Sequence, residues 1–227
     1  MLKKIKLIPK NAFIFSGIYF LFQSIMYWLG PFLSKVFNIT NHILKIDAID
    51  DKIPFIPVFI IIYVFSYIFW FFSHAIVCIT SKKNFINYVI GLSLAFLIGF
   101  VIFVIFPTYM NRVDEGLILY SNGNNVFSKL YKFVYIFDGN ERAINLFPSY
   151  HCLVSLYCYL GVRKQKKISK VYKVYSFIMT ILICLSTLFT KQHYIIDVMG
   201  GILLSLLCYI IVDKLNITEK ITNKYKW

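Results

Sequence analysis

Residues 85–106 read FINYVIGLSLAFLIGFVIFVIF, 22 positions without a charge. A helix on the surface of a soluble domain carries a polar stripe, and this one would be apolar on nearly every face. At 1.5 Å per residue it reaches about 33 Å, close to the roughly 30 Å of a bilayer's hydrocarbon core. We read it as a membrane-spanning helix. Two more apolar blocks precede it, Ala12 to Gly30 and Pro54 to Thr80. Three follow, Phe147 to Val162, Val171 to Thr190 and His193 to Val212. The fourth block is short for a span and is expected to extend at one end. Period-two alternation is absent, which argues against a transmembrane barrel. The expected fold is all-α, a six-transmembrane-helix bundle forming a single integral-membrane domain over residues 1–227.

The composition agrees. Of 227 residues 59% are hydrophobic and 15% charged, against roughly half and a quarter in soluble domains. Soluble, collagen-like, disordered and disulfide-stapled classes are excluded. The formal charge of +14 would suit a nucleic-acid binder, but its placement says otherwise. It lies in Lys3 to Lys10, in Lys82 and Lys83, in the turn from Arg163 to Lys173, and in the tail from Asp213 onward; elsewhere the charges cancel. By the positive-inside rule that face is cytoplasmic, which puts both termini inside. The basic N-terminus runs into a long apolar stretch with no small-residue cleavage site, so it is read as a span and not a signal peptide. The five cysteines, without CxxC pairing, read as small buried hydrophobes.

Ionisable groups at membrane depth are costly and mark function by default. His193 and Asp197 open the last block in TKQHYIID, His151 opens the fourth in NLFPSYHC, and Arg112 follows the third in FPTYMNRVDEG. The chain does not cross the bilayer between Arg112 and His151, and crosses twice between His151 and His193. All three groups therefore share one face, the outer one. His193 and Asp197 stand at i and i+4, so the carboxylate can orient the imidazole and leave its other nitrogen for attack. Ser149 and the first N–H groups of the fourth helix, with Arg112, suit a bound anion. A nucleophile, its orienter, a second imidazole and an anion cradle are what phosphoryl transfer needs.

PSYH around His151 and STLFTKQHYIID around His193 resemble the second and third motifs of the type 2 phosphatidic acid phosphatase superfamily. It includes lipid phosphate phosphatases and the phosphotransferases that make inositol phosphorylceramide and sphingomyelin. The likeness covers residues 107–201. It implies a metal-independent, cofactor-free reaction. His193 attacks phosphorus with Asp197 orienting it, and His151 protonates the leaving alcohol. Arg112, Ser149 and the Tyr150 N–H hold the phosphate. The implied substrate is a membrane lipid phosphate or diphosphate, hydrolysed at the outer face of the plasma membrane; transfer to an acceptor lipid is the close alternative. The sequence departs from the family's KxxxxxxRP, with Ile105 and Val113 around Arg112, and from SRxxxxxH, with Thr187 after Ser186. Lys191 is a candidate replacement for the lost charge. No protein partner is indicated.

Other readings were weighed beside these. His151, His193 and Asp197 are also a legitimate ligand set for catalytic zinc. A transporter or scramblase on the same scaffold is a non-enzymatic option. His74 reads as structural and His42 as a solvated loop residue. Arg112 and Lys191 could snorkel and Ser149 could serve only as an N-cap. Gly200 and Gly201 read as close helix packing, and residues 125–137 as an amphipathic segment along the outer interface.

Overall fold

The computed structural model describes residues 8–139 and 141–215. The chain runs through helices α1 (Lys10–Val36) and α2 (Asp47–Asp50), a 3-10 turn (Pro57–Phe59), α3 (Ile60–Val77), α4 (Lys82–Ile105), strand β1 (Tyr109–Asn111), α5 (Leu117–Ser121), α6 (Val126–Phe137), strand β2 (Arg142–Ile144), α7 (Tyr150–Val162), α8 (Lys170–Phe189) and α9 (Ile195–Lys214). Lys3, Lys4, Lys6 and the tail charges from Glu219 to Lys226, which carry part of the topology argument, lie outside the described residues.

Among the described residues five helices are long and apolar enough to cross a membrane: α1, α3 with its 3-10 turn, α4, α8 and α9. The fourth apolar block does not extend as expected. Its helix, α7, starts at Tyr150 and is 13 residues long. The reason is its place in the bundle: α7 packs against α3, α4, α8 and α9, and nearly all its residues are buried. A helix enclosed by neighbours has no lipid-facing side whose length must match the bilayer.

The described residues are mostly helical, as expected, with one short strand pair besides. β1 and β2 pair antiparallel, with Met110 opposite Ala143 and Asn111 opposite Arg142. This ribbon, α5 and α6 build a cap with its own core, in which Met110, Tyr131, Tyr135 and Tyr194 pack together. A larger core of Trp70, Phe96, Phe103, Leu153 and Tyr157 fills the bundle. His42 is not merely solvated. Its backbone bonds to Pro107 and Tyr109, and its ring stacks on Phe106 at 4.3 Å.

Gly200 and Gly201 do mark close packing. A Cβ on Gly201 would lie 2.3 Å from the Ser149 carbonyl oxygen, and one on Gly200 would meet the Phe147 ring at 2.3 Å. Only a residue without a side chain lets α9 approach the entrance of α7 so closely. That approach brings the two histidine-bearing segments together.

Candidate active site

His193 sits in the five-residue turn between α8 and α9. The turn is tied down by its own backbone: the N–H groups of Gln192 and His193 both donate to the Thr187 carbonyl, at 3.0 and 3.1 Å. Lys191 takes a left-handed φ of 52°, a helix-ending conformation usually left to glycine. Asp197 is fully buried and its Oδ2 accepts the Tyr194 N–H at 2.8 Å, which fixes the carboxylate at the start of α9. The same oxygen lies 3.5 Å from His193 Nδ1. That is an ion-pair distance, longer than a good hydrogen bond. Burial alone would lower the His193 pKa; the nearby Asp197 carboxylate, with smaller contributions from Cys152 and Asp138, outweighs it and raises the value above that of an ordinary histidine.

His151 enters from the first turn of α7. Ser149 stands at the N-cap, and its own N–H donates to the Asp197 carbonyl at 2.9 Å. The Ser149 side chain makes no cap hydrogen bond, so it is not the simple cap that was one reading of it. Among the described residues its buried Oγ has no hydrogen-bond partner, nor have His151 Nε2 and Asp197 Oδ1, and His193 Nδ1 has only its ion-pair contact with Asp197. The N–H groups of Tyr150, His151 and Cys152 open a helix and lack intrahelical acceptors. The Tyr150 hydroxyl, by contrast, points inward and donates to the Phe96 carbonyl at 2.8 Å. The His151 ring is stacked on Tyr63 at 4.1 Å, with Trp70 at 5.0 Å and Tyr67 at 5.5 Å. Its centroid is 6.1 Å from that of His193. Aromatic contacts of this kind lock a ring without using its nitrogens.

Arg112 follows β1 and is fully buried. Its guanidinium does not stand open as a fork for an incoming anion. Nη2 donates to Asp138 Oδ2 at 2.7 Å and to Gln192 Oε1 at 3.0 Å, and the group lies 4.0 Å over the Tyr135 ring. Gln192 is the residue before His193, so this bond joins the cation to the turn that carries His193. Asp138, at the C-cap of α6, also accepts from the Tyr27 hydroxyl. Burial raises its pKa above the usual carboxylate value, against the opposing effects of Arg112 and Tyr27.

Lys191 shares a small crevice with His193, Lys45, Asp50 and Glu115, but its ammonium donates to the Asp50 carbonyl at 2.7 Å. Lys45 pairs with Asp51 at 2.8 Å and Glu115 at 2.9 Å. Asp50, buried, accepts the Ile195 N–H at 2.9 Å and so caps α9. Among the described residues no three His, Cys, Asp or Glu side chains are grouped to hold a metal ion; His151, His193 and Asp197 do not assemble as a zinc ligand set.

A cavity of about 420 Å³ lies between α1, α3 and α6. Its walls include Phe20, Tyr27, Trp28, Tyr67, Phe133 and Phe137, and His151 and Asp138 also line it. The volume falls in the range of small-molecule sites.

The structure thus brings His151, His193, Asp197, Ser149 and Arg112 to one end of the bundle. It turns the Lys191 ammonium and the Tyr150 hydroxyl elsewhere. Sequence reasoning missed Asp138, Gln192, Asp50 and the aromatic wall. Tyr63, Tyr67 and Trp70 were findable, since spacings of four and three put them on one face of α3. Asp138 closes the amphipathic segment 125–137, and nothing local ties it to Arg112. A family model described as PAP2 superfamily matches residues 37–211. No curated protein and no solved structure matches the chain.

Proposed function

The chain belongs to the PAP2 superfamily, and on that premise we propose that it is a membrane enzyme that breaks a phosphate ester bond of a lipid through a phosphohistidine on His193. Membership supports phosphatase or phosphotransferase activity in general. The observation that carries the specific reading is the pairing of His193, beside buried Asp197, with His151 at 6.1 Å on the wall of the cavity. The His193 nitrogen facing away from Asp197 attacks phosphorus. The bond to the leaving oxygen breaks, and that oxygen takes a proton from His151. His151 then removes a proton from the incoming hydroxyl, which cleaves the N–P bond and frees His193. Ser149 and the first N–H groups of α7 hold the phosphate oxygens, and Arg112, engaged by Asp138 and Gln192, adds its charge from behind them. The aromatic cavity takes the lipid tail.

In the first form water is the acceptor, and the protein is a phosphatase of a phosphatidate-, phosphatidylglycerol phosphate- or prenyl diphosphate-like lipid. In the second form a lipid hydroxyl is the acceptor, as in the inositol phosphorylceramide and sphingomyelin synthases. The Arg112–Asp138 pair favours this second form, because it leaves less positive charge for a dianionic phosphate. We read α7 as a sixth span enclosed by the others and place both termini in the cytoplasm, the site facing outward across the plasma membrane. The charge distribution supports that orientation.

The test is product release by detergent-purified protein from a panel of lipid phosphates, with and without acceptor lipids, in excess EDTA. Turnover that survives EDTA and disappears in His193→Ala is expected. Turnover restored only by added zinc contradicts the mechanism.

A further inference from the structure

The site contains cations, yet each is already engaged. Two family positions for phosphate-binding cations hold Ile105, 63% exposed on the outside of the bundle, and Thr187, whose hydroxyl donates to the Cys184 carbonyl at 2.8 Å. Arg112 is left, and Asp138 sits on it at 2.7 Å. On the other side of His193, Lys45 is held by Asp51 and Glu115 and Lys191 by the Asp50 carbonyl. Asp138 is not a remote counter-ion, because it lines the same cavity as His151. A bound phosphate would therefore meet a carboxylate.

A lipid phosphomonoester carries close to two negative charges at neutral pH, its second ionisation lying near pH 6. A phosphodiester carries one. From this geometry we infer that Asp138 is a specificity-determining residue, selecting a phosphodiester lipid, a monoanion, over a phosphomonoester dianion. The inference rests on the phosphohistidine reading above and narrows its donor class. With a diester, attack by His193 forms the N–P bond and expels one of the two ester oxygens. His151 protonates that leaving group, and the remaining esterified phosphoryl group stays on His193. An acceptor hydroxyl, whose proton passes to His151, completes the exchange. No redox partner or metal enters the balance. A lipid diester keeps a substituent on each side of phosphorus, so one side can occupy the aromatic cavity while the other departs.

The experiment compares kcat/KM for short-chain phosphatidylglycerol and short-chain phosphatidate in the same detergent, using the wild type, Asp138→Asn, Asp138→Glu and His193→Ala. The wild type is expected to favour the diester by about tenfold or more, and Asp138→Asn to move the ratio about tenfold toward the monoester. Asp138→Glu should keep the wild-type ratio. A second measurement needs no variant: lowering the pH from 7.5 to 5.5 protonates the monoester to a monoanion and should improve its competition against the diester by a similar factor. An unchanged ratio in Asp138→Asn and no pH effect, with activity still lost in His193→Ala, overturns the role of Asp138 alone. Turnover that persists in His193→Ala, or turnover of neither lipid by the wild type, overturns the phosphohistidine reading and the inference with it.

Discussion

His74 and His193 are both buried histidines in one bundle, and their surroundings could hardly differ more. His74 lies on α3 deep among aromatic rings, with Nδ1 2.7 Å from the Tyr88 hydroxyl and its ring 5.3 Å from that of Tyr19. Its hydrogen-bond partner is neutral. His193 has a buried carboxylate at 3.5 Å, a second imidazole at 6.1 Å and, through Gln192, a buried guanidinium. The first arrangement gives one ring nitrogen a neutral partner inside an apolar core and brings no charge near, although Nε2 has no hydrogen-bond partner among the described residues. The second gathers charges and unpartnered atoms at one end of the bundle, a costly arrangement for packing alone. Burial of a histidine therefore says little, and the company it keeps distinguishes structure from chemistry.

The sharpest way to break this contrast is to remove each ring. His193→Ala should lower turnover by about a thousandfold or more, as expected for a lost nucleophile, with the protein still folded by circular dichroism. His151→Gln should cost about a hundredfold to ten-thousandfold. The loss should shrink for substrates whose leaving group needs no proton, which stopped-flow release of a nitrophenolate would register. Asp197→Asn should lower the rate by about a hundredfold and also shift the pH profile. The wild-type acid limb of kcat/KM should lie above the ordinary histidine value, because attack needs neutral His193 and its pKa is raised. Removing the carboxylate while burial remains should move that limb to lower pH. Gly201→Ala drives a Cβ against the Ser149 carbonyl. It should lower stability by about 1–3 kcal/mol and reduce activity roughly tenfold or more by spreading α7 from α9. Smallest of all, His74→Leu should leave the rate of folded protein within about twofold, while the Tyr88 hydroxyl, left with only the Cys158 sulfur at 3.6 Å, lowers stability by about 1 kcal/mol.

How much of this was legible in the sequence depended on range. The spans were readable because hydrophobic length is a local property, and five of the six blocks became long helices. Crossing parity brought Arg112, His151 and His193 together with no knowledge of packing. The i, i+4 relation placed Asp197 beside His193, and two adjacent glycines announced a close approach. What stayed hidden was long-range pairing. The Arg112–Asp138 bond spans 26 residues and the Arg112–Gln192 bond 80. No periodicity encodes either. The brevity of α7 was hidden for a related reason, since it depends on which helices surround it. The β1–β2 ribbon is three residues per strand, too short for alternation to stand out against the aromatic background.

The central claim is that His193 becomes covalently phosphorylated, and the most direct measurement is to trap that species. Protein mixed with lipid substrate in excess EDTA would be quenched under alkaline conditions and its peptides read by mass spectrometry. A phosphoryl or phosphoryl-ester adduct on the peptide bearing His193, enriched in His151→Gln and absent in His193→Ala, is the predicted result. Turnover with no adduct on that peptide, or an adduct on another residue, would contradict the account.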